Sequence, residues 1–391
     1  MVLIASCYFQ QNYGSKLQAY ATQAFLDELH IENMTINYSQ IASYIKKRKI
    51  LFYIAHVYII DTFVSQLHQY SFKCRQKMDK RLKQDIFLRK QVMKKFENTR
   101  FRLTTPYSFK YLSKLCTDMN ANAVLLGSDQ LWLPSNIYAN YYTLNFVPSN
   151  IKKISYSTSF GVSQLDKKTK KRAKSFLGNF NFISVREKSG QKLVSEITGD
   201  SPQIVCDPTM LISAEKWRVL LKTKNLVKNP YILCYFLGNN PWQREWAKQL
   251  KKTTGLQIIS LIHLDSYIKC DNSYYDQALF DIGPSEFVSL IENAEFVCTD
   301  SFHGTVFSLL FHKRFFSFRR FRENYYSSTN SRLDSLLTLL GLADHIVEQG
   351  VTPCEMLKKV INYDDVDKQL GIFRSDSISW LKNALGVNQD A

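Results

Sequence analysis

Glycine and proline are scarce, 14 and 9 of 391 residues, which excludes collagen-like and proline-rich chains. The eight cysteines include no C-x-x-C pair, and no histidine joins them at zinc-ligand spacing. Most sit in apolar runs, as Cys234 does in Tyr-Ile-Leu-Cys-Tyr-Phe, so they read as buried free thiols of a reducing cytoplasm. No basic n-region precedes the first apolar run, Met1 to Ala5, which reads as a β-strand rather than a signal peptide. The longest apolar stretch, Ile50 to Val64, is interrupted by His56 and Asp61 and falls short of the roughly 20 residues a membrane span needs. Acidic residues are also few: 34 against 51 Lys and Arg, a net charge of +17 that calls for an anionic partner.

What is present is ordinary for a globular chain, 45% apolar and 22% charged, with 14% aromatic residues. Short apolar runs alternate with helical periodicity, the mark of an α/β protein. Strands are expected at Val2–Cys7, Ala123–Leu126, Ile154–Thr158, Phe182–Val185 and Ile204–Cys206. After a polar linker, Lys222–Pro230, they restart at Tyr231–Leu237, Gln257–Leu261, Phe296–Thr299 and Phe315–Phe318. The expected organisation is an N-terminal α/β domain over 1–225, a C-terminal α/β domain over 230–365 and a helical tail over 366–391. Two such domains face each other across a cleft between their strand ends. Residues 46–100 depart from this: they read as a helical insertion in the first domain and carry +11 of the +17. With the apolar Ile50–Val64 stretch beside it, this insertion reads either as a membrane-surface element or as a solvated helical excursion packed on the domain. No helix-turn-helix, zinc-finger or RNA-binding motif accompanies the charge, so no specific nucleic-acid partner is expected.

Polar residues follow the strand ends, where open α/β sheets place their ligands. Asn12, Tyr13, Gly14, Ser15 and Gln18 join the first strand to the first helix, whose N-terminus suits an anion or a sugar hydroxyl. Ser128, Asp129, Gln130 and Trp132 follow the next: a carboxylate to orient or deprotonate a hydroxyl, and an indole face for sugar stacking, or else a capping Asp and a core Trp. Arg186 follows a third strand and could fork onto a phosphate or carboxylate, or pair with Glu187. Thr299-Asp300-Ser301-Phe302-His303-Gly304-Thr305 is the densest signal, with His303 near a helix N-terminus. Arg314, Arg319, Arg320 and Arg322 cluster downstream as a phosphate clamp or a solvated basic face. In Asp281-Ile-Gly-Pro-Ser-Glu, Ser285 reads as a helix N-cap.

Together these segments resemble the polysaccharide pyruvyl transferases. The matching pieces are Asn-Tyr-Gly-Ser-x-Leu-Gln-Ala-Tyr, Gly-Ser-Asp-Gln-x-Trp, Tyr-Ser-Thr-Ser-Phe-Gly, Ser-Val-Arg-Glu-Lys-Ser-Gly, Asp-Pro-Thr-x-Leu, Thr-Asp-Ser-Phe-His-Gly-Thr-Val-Phe-Ser and Ser-Arg-Leu-Asp-Ser-Leu-Leu at Arg332. The resemblance implies two Rossmann-like domains facing across a cleft, GT-B-like, and transfer of an enolpyruvyl-derived group from phosphoenolpyruvate to a sugar as a ketal. It implies that Arg186 and His303 contact phosphoenolpyruvate, a co-substrate. No metal-ligand set is evident in the sequence, and no cofactor or metal is expected. Some members carry Arg-Leu-His-Gly where this chain has Ser301-Phe302-His303-Gly304, so another cation must serve, with Arg319 and Arg320 among the candidates.

The expected donor site is therefore Arg186, Ser301, His303, Gly304, Thr305, Arg319 and Arg320, with His303 as acid and Asp129 or Asp300 as base. The acceptor side falls to Asn12 through Gln18 and Ser128 through Trp132. A polyprenyl-diphosphate-linked oligosaccharide acceptor would bring the basic insertion to the inner membrane leaflet. Two alternatives stand beside this: a GT-B-type glycosyltransferase using a nucleotide-sugar, and a non-catalytic protein of a glycan export system.

Overall fold

The computed structural model describes residues 1–56, 72, 78–222, 224–262, 264, 268–321 and 330–387. Part of the basic insertion, Cys74 and Arg322 lie outside the described residues.

The first domain holds a sheet of β1 (Val2–Ala5), β2 (Asn33–Thr35), β3 (Ala123–Leu126), β4 (Lys152–Thr158), β5 (Phe182–Val185) and β6 (Gln203–Ile204) in the order β2-β1-β3-β4-β5-β6. The second holds β7 (Tyr231–Tyr235), β8 (Gln257–Leu261), β9 (Gln277–Leu279), β10 (Phe296–Thr299), β11 (Arg314–Phe318) and β12 (Ile346–Val347) in the order β12-β11-β10-β7-β8-β9. All ladders are parallel, from Val2 opposite Ala123 to Phe296 opposite Ile232. Helices cover both faces of such sheets, which is why β1, β3, β7 and β10 are buried along their whole length and read as unbroken apolar runs. The expected fold of two Rossmann-like domains is the observed one. In each sheet the strand order reverses once, between β1 and β3 and between β7 and β10. A crevice opens at such a reversal.

The edge strands β2, β9 and β12 carry no long apolar run and were not expected from the sequence. Ser285 does not cap its helix. Gly283 does, with Pro284 at the first helical position and the Glu286 carboxylate accepting the Gly283 N–H at 3.1 Å.

One apolar core runs through both domains. Tyr13, at the start of the Tyr13–Glu28 helix, stacks on Phe287 of the second domain at 4.5 Å between ring centroids and donates its hydroxyl to the Ile282 carbonyl at 3.0 Å. Trp217 meets Phe307 edge-on at 5.3 Å. The tail is one long helix, Tyr363–Leu385, lying back on the first domain: Ser377 Oγ accepts the Cys206 N–H at 2.9 Å, and Trp380 packs near Tyr156. The Lys80–Arg100 helix braces both domains. Its Glu97 meets the fully buried Lys16 at 2.5 Å, and its Arg89 donates to the carbonyls of Phe280 and Leu279.

Candidate active site

Three carboxylates, two guanidiniums and one imidazole converge where the strand ends of the two domains meet. Arg186 follows β5 and is 5% exposed. Its Nη1 donates to Asp207 Oδ2 at 2.9 Å, while Asp129 and Glu187 each approach to 3.7 Å. Asp207 follows β6 at the start of a short helix. Its Oδ1 accepts the Thr209 N–H and hydroxyl, and its Oδ2 also accepts the Ser128 hydroxyl at 2.8 Å. His303 enters from the second domain, with Nε2 3.5 Å from the same Asp207 oxygen. Burial alone would raise the Asp207 carboxyl. The charges of His303 and Arg186 overcome it and hold Asp207 far below the usual carboxylate range.

Asp129 sits just beyond β3 with φ +82°, a left-handed conformation that costs a non-glycine residue energy. Its Oδ2 accepts the Ser15 hydroxyl at 2.5 Å, and its main chain bridges to Thr158 at the irregular end of β4. Burial opposes ionisation here too, but Arg186, His303 and Ser15 outweigh it, and the carboxyl is held below its ordinary value. Glu187 shows the opposite balance. Burial pushes its carboxyl up despite Arg186 and a hydrogen bond from Ser159 at 2.8 Å. The site thus holds two carboxylates that are charged at neutral pH and one that resists charging.

Gly14 explains how close the domains come. A Cβ placed on it would lie 2.0 Å from Nδ1 of His303, so the imidazole packs directly on the Gly14 backbone. Asn12 caps the helix by accepting the Ser15 N–H at 3.2 Å. Gln18 is buried and donates to the Ser15 carbonyl at 2.9 Å. Gln130 is half-buried and its side chain packs beside Gly161.

Several expected site residues are placed elsewhere. Trp132 is wholly buried, its indole N–H donating to the Tyr142 carbonyl at 3.1 Å, so it presents no face to a sugar. Tyr13 is spent on the domain interface. Asp300 accepts the N–H groups of Leu237 and Gly238 at 2.7 and 2.8 Å, tying the β7 loop to the β10 loop. Ser301 caps the Phe302–Leu310 helix through the Gly304 N–H, Thr305 bonds to Ser317, and Gly304 packs against Thr299 rather than facing a substrate. Of the downstream arginines, Arg319 is paired with Asp334 and Glu348, Arg314 donates to the Leu357 carbonyl, and Arg320 donates to the Asp300 carbonyl at 3.2 Å. Two residues that the structure adds are Asp207 and Arg332. The signal for the first was a strand running into Asp-Pro-Thr. The second is buried at the start of the Ser331–Leu339 helix, its guanidinium against the same Phe302 ring as that of Arg186. A cavity of about 410 Å³ opens beside Arg186, Asp207, Phe302 and Arg332.

The profile of the family described as polysaccharide pyruvyl transferase matches residues 12–320. The chain belongs to that family. Asn12, at one end of the match, opens the Gly14 loop, and Arg320, at the other, closes the Asp300 contact, so Asp129, Arg186, Asp207 and His303 all fall inside it. No curated protein sequence matches the chain. Solved structures that resemble it are a putative UDP-N-acetylglucosamine 2-epimerase from Listeria monocytogenes (9% identity, TM-score 0.54, covering 99% of this chain and 97% of that one). Another is a UDP-N-acetylglucosamine 2-epimerase at 11% identity and TM-score 0.52, covering 100% and 96%. A third is an S. aureus MnaA–UDP co-structure at 10% and 0.50, covering 100% and 97%. At such identities the likeness concerns the fold, two Rossmann-like domains in the GT-B arrangement, and this pyruvyl transferase family member shares it along its whole described length.

Proposed function

We propose that this family member transfers the enolpyruvyl-derived group of phosphoenolpyruvate to a sugar of a surface-polysaccharide precursor and closes it as a pyruvate ketal. The observation that carries this reading is the meeting of His303 with Asp207, Asp129 and Arg186 across the domain boundary. A carboxylate- and phosphate-bearing donor needs preorganised cations, and the enol carbon needs an acid. In the proposed sequence His303, protonated, gives a proton to C3. Its Nε2 is buried and stands 3.5 Å from Asp207 Oδ2. C2 becomes electrophilic, and a sugar hydroxyl adds to it, losing its proton toward Asp129. A second hydroxyl of the same sugar then attacks C2, its proton passing to the now neutral His303, while the bond from C2 to the phosphate oxygen breaks with its electron pair staying on that oxygen, which takes up the proton held by Asp129. The products are the cyclic ketal and inorganic phosphate. Asp129 is preferred to Asp300 as the base because it stands beside Arg186 and His303, whereas Asp300 ties the β7 loop to the β10 loop.

The acceptor we propose is a lipid-linked oligosaccharide met at the inner leaflet. Support comes from the Ala42–Ala55 helix. Lys46 and Lys47 are exposed on the face that also carries Ile50, Leu51 and Ile54, which are 47%, 62% and 65% exposed. No helix among the described residues is long and apolar enough to cross a membrane.

Thermal stabilisation tests the donor. A ligand that binds only the folded state at about 100 times its Kd adds about 2.7 kcal/mol. Phosphoenolpyruvate should raise the Tm of the wild type and not of Arg186→Lys or His303→Gln, and acceptor turnover should release phosphate. Stabilisation by a UDP-sugar alone would transfer the assignment to a glycosyltransferase, the UDP-bound S. aureus structure being the precedent on this fold.

A further inference from the structure

Two guanidiniums approach the Phe302 ring at the seam between the domains. Arg186, from the first domain, places its Cζ 4.7 Å from the Phe302 ring centre, and Arg332, from the second, places its own 5.9 Å from the same ring. They are 5% and 9% exposed. Both line the 410 Å³ cavity, whose other charged wall residues are Lys188 and Asp207. Asp207 is already committed, one oxygen to Thr209 and the other to Arg186 and Ser128. Three cations thus face a cavity with one satisfied carboxylate. Much of the remaining wall, including Ile204, Met210, Leu336 and Phe373, is apolar, so the field there is weakly screened.

Two further observations point to something bound. Nε and Nη2 of Arg186 are buried without a hydrogen-bond partner, the nearest carboxylate oxygens standing 3.7 Å off. Arg332 is held below its ordinary value by burial first and by Arg186 second, with the Asp129 and Glu187 carboxylates acting against both. An anion in the cavity that both line would fill the open donors of Arg186 and offset the like charge of the two groups.

We propose that Arg186 and Arg332 form a clamp, one arm from each domain, for a phosphoryl group; on the reading above, that of the donor. Arg332 would then supply the guanidinium that Ser301-Phe302-His303-Gly304 lacks. Since the arms belong to different domains, the site is complete only when these are together. The hydroxyls of Ser189 and Ser331, in contact at 3.1 Å, pin the same edges.

Calorimetric titration of the full chain with phosphoenolpyruvate, inorganic phosphate and pyruvate tests the clamp. Arg332→Gln should weaken phosphoenolpyruvate and phosphate alike by about 10- to 100-fold, the value of a charge-assisted hydrogen bond. Pyruvate affinity should stay unchanged, and Arg332→Lys should recover part of the loss. An unliganded Tm no lower than wild type in Arg332→Lys shows that the loss is not unfolding. Wild-type affinity for phosphate in Arg332→Gln, or no phosphate binding to the wild type, overturns the clamp. Phosphate binding that depends on Arg332 without any binding of phosphoenolpyruvate keeps the clamp and removes the pyruvyl donor.

Discussion

Gly14 bears on the proposed catalysis because of what it does not have. Alanine is the better helix former by about 1 kcal/mol, and Gly14 has helical backbone, so propensity alone favours Gly14→Ala. Sterics decide otherwise: the new methyl would overlap the His303 ring, 2.0 Å from Nδ1. Overpacking costs about 1–3 kcal/mol, which leaves a folded protein. A displacement of the imidazole near 1 Å, however, costs about 100-fold in rate. The variant should melt within a few degrees of wild type yet lose about 100-fold in kcat; unaltered turnover would show that His303 does not act from this position. Asp207 makes a second prediction. Its folded carboxyl titrates below the unfolded value of about 3.9, so its stabilisation is complete above that value and drains away as the pH falls through the folded one. Asp207→Asn should therefore be destabilised by about 3–5 kcal/mol near neutrality, since Arg186 loses its anion. The gap between the melting curves of the two proteins should hold above about pH 4 and narrow steadily as the pH falls below it. Arg186 and His303 were legible in the sequence because each closes a strand and stands among polar residues. Trp132 and Tyr13 misled for a physical reason: an aromatic beside a polar loop looks the same whether it faces a ligand or seals the core beneath it. Arg332 lies in an ordinary amphipathic helix, and only tertiary packing brings it to Phe302.

The charge of the Lys80–Arg100 helix suggested a surface element, and that is half of its role. Arg89 and Glu97 are buried, each contacting a different domain. Burial lowers the Lys16 ammonium, and the hydrogen bond to Glu97 restores only part of the loss, so the pair is stable as a pair and costly when broken. Glu97→Gln should lower stability by about 3–5 kcal/mol in denaturant melts. Lys16→Met combined with Glu97→Leu should recover most of it, because a well-packed apolar pair removes both desolvation costs. If the double variant is as unstable as the single one, the pair is doing more than neutralising a buried charge. Elements with long apolar runs were readable to within a residue or two, β3, β5, β8 and β10 among them. The edge strands β2 and β12 were not, since two or three residues that pair on one side need little apolar surface.

At the level of the whole molecule, the site lies where the topology leaves room for one. The first sheet reverses between β1 and β3, and Ser15 and Asp129 follow those two strands; the second reverses between β7 and β10, and His303 follows β10. On the proposed function, activity at the seam depends on how the molecule meets a lipid-linked acceptor, and the Ala42–Ala55 helix would set that orientation. Of its four consecutive cations Lys46 and Lys47 are exposed, and Arg48 and Lys49 are half-buried. Arg48 donates to the Tyr138 carbonyl at 3.2 Å, and burial lowers Lys49. Near an anionic leaflet each exposed lysine contributes about 1 kcal/mol, so Lys46→Glu with Lys47→Glu should weaken binding to phosphatidylserine-containing vesicles by at least about 30-fold at low salt. Replacing Ile50, Leu51 and Ile54 by serine should instead remove the part of the binding that survives at about 1 M salt, where the Debye length is about 3 Å. Turnover of a water-soluble acceptor should be unchanged in both variants, because none of these residues reaches the seam. Vesicle co-sedimentation equal to wild type in the lysine variant would mean that this face is solvated and that the acceptor arrives without help from the membrane.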